Sequence, residues 1–338
     1  MATIRTFLTP AIQENICQNL DLKSADNLRR SMGIPKLDCR YPVNDIDQGV
    51  FFIESVTNNT VELAELIEEL GSNLVLHNLI NKKRETHLIK LLLRLGANPE
   101  GMDKYGTSAL SRATILGRLD VMKLLLAVGV DVDQRNSDDS TPLIKACFHS
   151  GFDVIKFLIE SGADVNAVDQ KLHTPLLEAA YHKSFDSFKL LIDHKADIFV
   201  LDKDNKTTLI RSAAAHLDDF PKTKLLIELG VDVNKQTKYG MTALMFAASN
   251  GELETLELLL KSGANVNLTD LSENTALMYA LSPRFGDQEQ RINLLLKYGA
   301  DINHRNSFNN TALSLAIRNN NFKAIRPLQA AFEKKSNV

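Results

Sequence analysis

The sequence predicts an all-α solenoid, a row of helix–turn–helix units joined by short hairpin-like turns. Three observations carry that expectation. A hydroxyl able to cap a helix recurs at Ser108, Thr141, Thr174, Thr207, Thr242, Thr275 and Thr311, in steps of 33, 33, 33, 35, 33 and 36 residues. A helix stop recurs in the same register at Gly96, Gly129, Gly162, Gly230, Gly263 and Gly299, with Lys195 in the third repeat's slot. Between cap and stop the apolar residues fall at helical spacing.

The stretch 136–168 shows one whole unit. Thr141 is the hydroxyl cap and Pro142 takes the first helical position, where its missing N–H costs nothing. Leu143, Ala146 and Cys147 form one face of a short helix that Gly151 ends. A second helix starts near Asp153 and carries Val154, Ile155, Phe157, Leu158 and Ile159; Gly162 supplies a left-handed stop. Asp or Asn then follows each stop, at 131, 164, 197, 232, 265 and 301, and serves the turn. A unit this small cannot stand alone. Ordering 33 backbone residues costs about 30–60 kcal/mol, more than its own apolar surface can offset. Stacking supplies the rest. Leu143, Leu176, Leu209, Leu244, Leu277 and Leu313 share one slot and should form a continuous apolar spine.

A period near 33 with a turn and two helices resembles the ankyrin repeat. The matching residues are Thr141-Pro142-Leu143, Thr174-Pro175-Leu176, Thr242-Ala243-Leu244, Thr275-Ala276-Leu277, Thr311-Ala312-Leu313 and Gly162-Ala163-Asp164-Val165-Asn166. The resemblance covers about residues 73–338 and implies a protein-binding scaffold.

Before the repeats, residues 1–33 form a separate segment. Pro10 opens an amphipathic helix with Ile12, Ile16 and Leu20 at i, i+4 and i+8; Ser24 caps a second, with Leu28 on its apolar face. The order of Leu8, Pro10, Ile12, Ile16, Leu20, Asp21-Leu22-Lys23 and Leu28-Arg29-Arg30 resembles the F-box. That resemblance implies docking onto a Skp-type adaptor of a cullin–RING ubiquitin ligase, with Leu8, Pro10, Ile12, Ile16, Leu20 and Leu28 as the adaptor-binding residues. The alternative is a helical pair that only covers the open end of the array. Ankyrin arrays joined to F-box-like segments resemble effectors of intracellular bacteria, some viral proteins and eukaryotic adaptors, which implies action in the cytoplasm, a host cell's in the effector case.

Residues 34–48, with Pro35 and Pro42, read as a connector. Residues 49–102 read as worn repeats: Val50–Ile53 and Val61–Ile67 are helical stretches, Leu74–Ile80 and His87–Leu95 two more, and Lys82-Lys83-Arg84 a solvated loop. Residues 103–305 are the regular array, and 306–338 a terminal repeat and tail. Extra residues at 218–221 and 282–288 are expected in helix–helix connections. Pro327 should kink or shorten the last helix.

Composition excludes several functions. A net charge of −3 argues against a protein built to bind nucleic acid. No apolar run reaches membrane-spanning length and no signal segment opens the chain. Three cysteines, Cys17, Cys39 and Cys147, suggest a reducing compartment and lack metal-ligand spacing. No catalytic set is visible and no cofactor is implied. Cys147 and His149 lie at i and i+2, on different helix faces; Cys147 fills a slot that holds Ala180, Ala213 and Ala248 elsewhere, which favours packing. His149 and His182 share a register position, but no third metal ligand accompanies them. The chain reads as a non-enzymatic monomer that grips a protein.

In the ankyrin family, partners meet the turn tips and the ends of the first helices. By register the tips bring Tyr105, Leu172, Tyr239, Leu271 and Phe308, and the helix ends bring Ile115, Leu116, Phe148, His149, Tyr181 and His182. Ile115, Phe148 and Tyr181 put large apolar groups in one slot of adjacent repeats, which suggests an interaction patch.

Overall fold

The computed structural model describes residues 72–81, 86–94, 97–182, 184–215, 219–250, 253–281 and 288–336. The F-box-like segment with Leu8, Pro10, Ile12, Ile16, Leu20 and Leu28, the connector 34–48 and the worn repeat before residue 72 lie outside the described residues. So do Lys82, Lys83 and Arg84 and the insertion at 282–287. Among the described residues there are sixteen helices and no strand, and no helix is long and apolar enough to cross a membrane. The chain divides into two compact units, Met1–Pro142 and Leu143–Val338.

The first unit holds α1 (Ser72–Asn81), α2 (Thr86–Arg94), α3 (Ala109–Ile115) and α4 (Leu119–Ala127). They form two pairs, α1 with α2 and α3 with α4; α1 also packs on α3, and α2 on α4. Leu76, Leu79, Ile80, Ile89, Leu92, Leu110, Val121, Met122 and Leu125 are fully buried between them. A buried cation ties the pairs together. Arg118 donates to the carbonyls of Leu79 at 3.2 Å and Ile80 at 3.3 Å, at the C-terminal end of α1 where the helix dipole favours positive charge.

The second unit repeats the theme. The first helices are α5 (Pro142–His149), α7 (Pro175–His182), α9 (Thr208–Ala214), α11 (Ala243–Asn250), α13 (Ala276–Tyr279) and α15 (Ala312–Arg318). The second helices are α6 (Phe152–Glu160), α8 (Phe185–Asp193), α10 (Asp219–Glu228), α12 (Leu253–Lys261), α14 (Gln288–Lys297) and α16 (Phe322–Ser336). Helices α7, α9, α11, α13 and α15 touch in succession, and α6, α8, α10, α12, α14 and α16 do the same, so the unit is two layers of helices. Leu143, Leu176, Leu209, Leu244 and Leu277 are buried as expected of a spine. Leu313 is only half-buried: the terminal repeat has a neighbour on one side.

Sequence chemistry explains where the helices begin and end. Ser108, Thr174, Thr207, Thr242 and Thr311 accept the amide three residues on, at 3.1–3.3 Å. Thr275 does not. Its helix is a single turn of four residues, and the Met278 amide goes to the Thr275 carbonyl at 3.0 Å instead. Gly162 stops its helix at φ 92°, in the left-handed region, and Gly129, Gly230, Gly263 and Gly299 of the same slot share that conformation. Lys195 adopts it too, at φ 69°, without a glycine's freedom. The expected acids and amides follow: Asp131, Asp164, Asp197, Asp232, Asn265 and Asp301 each accept the amide two residues on, at 2.8–3.0 Å.

Asparagines two residues further stitch neighbouring repeats. Asn166 donates to the Lys195 carbonyl at 3.2 Å and accepts the Asp197 amide at 2.8 Å. Asn234 and Asn267 repeat the pair of bonds two and three repeats on. Phe199 occupies this slot in one repeat, so the ladder has a gap there. The turn tips are joined as well: the amides of Lys203, Lys238, Leu271 and Ser307 donate to carbonyls of Lys171, Asp204, Tyr239 and Ser272 at 2.8–3.2 Å. At Gly240 the approach is so close that an added Cβ would lie 2.9 Å from the Asp270 Cα.

The expected place of Pro221 and the expected shortening at Pro327 are corrected. Pro221 does not sit in a loop; Asp219, Phe220 and Pro221 form the first turn of α10, where an amide has no helical partner to lose. Pro327 does not shorten α16, which at 15 residues is the longest described helix. Its missing N–H frees only the carbonyl of Lys323, an exposed residue.

Candidate functional site

Four of the first helices of the second unit, α7, α9, α11 and α13, carry Glu178, Arg211, Phe246 and Tyr279 four residues after the cap. The turn begins nine residues before each, so a side chain there can reach the turn's own acid. Tyr279 donates to Asp270 at 2.6 Å, and Arg211 to Asp202 at 3.0 Å. In the first unit Arg112 pairs with Asp103 in the same way.

Where this slot holds opposite charges in stacked neighbours, a connected polar network results. Arg211 reaches Glu178 of the preceding repeat at 3.4 Å and donates to Nε2 of His173 at 2.7 Å. His173 Nδ1 lies 2.7 Å from Glu178, and His182 Nε2 lies 3.6 Å from the other Glu178 oxygen. With Arg211 donating to Nε2, Nδ1 is the ring nitrogen that faces Glu178. Glu178 and Asp202 are buried. Burial works against the Glu178 charge, but the His173 hydrogen bond and the Arg211 charge prevail and hold its carboxyl below the ordinary value. The network therefore fixes the geometry of two adjacent repeats.

Above it lies an aromatic cluster. The Phe148 ring is 4.5 Å from His149 and 4.3 Å from His182, and Tyr181 meets His182 edge-on at 4.7 Å. Phe148 is 47% and Tyr181 38% exposed. A groove of about 310 Å³ opens beside them, lined by Tyr181, His182, Lys206, Ile210, Arg211, Ala214, Phe246 and Asn250. It joins a turn tip, at Lys206, to the helix ends.

The sequence-predicted residues separate into groups. Phe148, His149, Tyr181 and His182 come together, and all are exposed. Ile115 and Leu116, in the first unit, are half-buried rather than open, so the expected row of exposed apolar groups does not begin with them. The tips are exposed: Tyr105, Leu172 and Tyr239, and above all Leu271 at 74% and Phe308 at 73%. Leu172 also holds φ 60°, a conformation few leucines take. Sequence reasoning missed Glu178, Arg211, His173, Lys206 and Phe246. A signal existed: charged residues at the same slot in consecutive repeats, Glu178 and Arg211 33 residues apart.

Cys147 is buried beside Ala146 in the core. Among the described residues no group of three or more His, Cys, Asp or Glu could hold a metal ion.

Helix pairs stacked in two layers, with capped first helices and turns that bond to each other, define a helical repeat scaffold. A family model of ankyrin repeats, three copies long, matches residues 76–169, 128–202, 176–270 and 211–306. These matches span more than half of the chain, which belongs to the ankyrin-repeat family. No curated protein matches the sequence. Ankyrin repeats are protein–protein interaction modules. The matches end at residue 306, yet α15 and α16 keep the helix pair and the Thr311 cap that define a further unit.

Proposed function

We propose that this chain is an adaptor: its repeats grip a protein partner, and the segment Leu8–Met32 presents that partner to a cullin–RING ubiquitin ligase through a Skp-type subunit. The aromatic cluster of Phe148 and Tyr181 beside an open groove supports the first half. Large apolar groups held in the open by a buried polar network lose water on binding, and such groups supply most of an interface's affinity. Tyr239, Leu271 and Phe308 extend the offered surface along the tips. The F-box-like order of Leu8, Pro10, Ile12, Ile16, Leu20 and Leu28 supports the second half. An effector of this design would act in a host cell's cytoplasm.

The ligase half is tested by a pull-down of the Skp-type adaptor on the full chain, with Ile12→Asp/Ile16→Asp beside it. Retention by the wild type and loss in the variant are expected. No retention by the wild type would leave a plain scaffold or inhibitor, without a ubiquitin link.

A further inference from the structure

We propose that the groove beside Tyr181 takes an acidic peptide segment carrying one large apolar side chain. The inference rests on the reading of these repeats as partner-binding and names what the partner must offer. The tips of three successive repeats carry Lys171, Lys203, Lys206 and Lys238. The tips are neighbours, since the Lys203 amide bonds to the Lys171 carbonyl and the Lys238 amide to the Asp204 carbonyl. Lys171, Lys203 and Lys238 are exposed and Lys206 is half-buried at the groove. Among the described residues Asp204 is the carboxylate paired with them at the surface, shared between Lys238 and Lys206.

The other nearby acids face inward. Asp202 accepts two backbone amides, at 2.8 and 2.9 Å, and pairs with Arg211; Glu178 is engaged by His173 and Arg211. Asp169 accepts two backbone amides at 2.8 Å. What a partner meets is therefore four tip lysines against one surface carboxylate, with Lys206 at a groove whose apolar wall is Tyr181, Ile210, Ala214 and Phe246. The following tip ends the basic stretch with exposed Glu273. Lys206 at the groove, lysines on the neighbouring tips and an apolar wall select carboxylates beside a Leu, Phe or similar side chain. Nucleic acid is disfavoured by the narrow, partly apolar groove and the net charge of −3.

A phage-displayed random peptide library panned on the full chain tests this. Enriched peptides, made synthetically, are then measured by fluorescence anisotropy against three proteins: wild type, Lys171→Glu/Lys203→Glu/Lys206→Glu and Phe148→Ala/Tyr181→Ala. The melting temperature of each variant shows that it is folded; for any variant that is not, Lys203→Glu alone or Phe148→Ala alone replaces it. The expectation is enrichment of Asp and Glu flanking an aromatic or Leu residue. Affinity should fall by about tenfold or more on charge reversal, and should weaken as salt is raised. Neutral or basic consensus peptides that still need Phe148 and Tyr181 would overturn the acidic partner and leave the adaptor reading standing. Peptides indifferent to both variants, no enrichment at all, or tighter binding of a single-stranded RNA oligonucleotide would overturn the inference, and the first two outcomes would count against the partner-binding face as well.

Discussion

Lys195 carries the position where other repeats place glycine, and its φ of 69° is costly for a residue with a Cβ. Lys195→Gly relieves that cost but adds glycine's entropy in the unfolded chain. The net gain expected is about 0.5–1 kcal/mol, read as a higher urea midpoint. His77 makes a second residue-scale test. It is buried, its Nε2 lies 3.0 Å from the Gly101 carbonyl, and burial pushes its imidazole below the ordinary 6.5. The unfolded chain thus takes up this proton at a higher pH than the folded one. Stability should be complete above pH 6.5 and fall as pH drops from there toward the lowered value. In His77→Gln that step should vanish from a plot of melting temperature against pH. Asp120 acts further down: burial opposes its charge, but Arg118 and Thr86 bring it from 3.8 to about 2, so its contribution is lost only between those two values.

Among elements, buried cations at helix ends link repeat to repeat. Lys222, at the start of α10, is fully buried and donates to the Ala180 carbonyl at 2.9 Å. Arg291 in α14 reaches the Ala248 carbonyl at 3.4 Å, as Arg118 does at the end of α1. Lys222→Met keeps the stem and leaves the carbonyl bare, which should cost about 1–3 kcal/mol in chemical denaturation. This class of contact was not legible beforehand. Arg118, Lys222 and Arg291 do not recur in every repeat, so no periodicity marks them. The caps and stops were legible, because each answers a local need of the backbone: Thr311 for an orphan amide, Gly162 for a left-handed turn. The exceptions arose where tertiary contacts outweighed local preference. Pro221 entered a helix and Thr275 gave up its cap, both next to the two longer connections.

For the molecule as a whole, the apolar spine was readable from the register of Leu143 to Leu277, and the aromatic cluster from Phe148 and Tyr181. The groove was not, because it depends on Glu178 and Arg211 meeting across repeats and on Lys206 arriving from a turn. Leu176 is buried between α7 and its neighbours, and Leu176→Asp would place an uncompensated charge there. The second unit of that variant should lose its cooperative melting transition; Leu176→Ala should keep it, lowered by about 2–5 kcal/mol. Interaction through the open face makes a different demand. It requires that surface residues be dispensable for folding and indispensable for binding, which separates Phe148 and Tyr181 from Leu176.

Parallel affinity capture from cell lysate, on the full wild-type chain and on a folded Phe148→Ala/Tyr181→Ala variant, reads that demand directly by quantitative mass spectrometry. At least one protein should be held by the wild type and depleted about tenfold or more on the variant, since paired loss of two interface anchors typically costs over 1.4 kcal/mol. The same proteins retained in equal amounts by both would contradict that expectation.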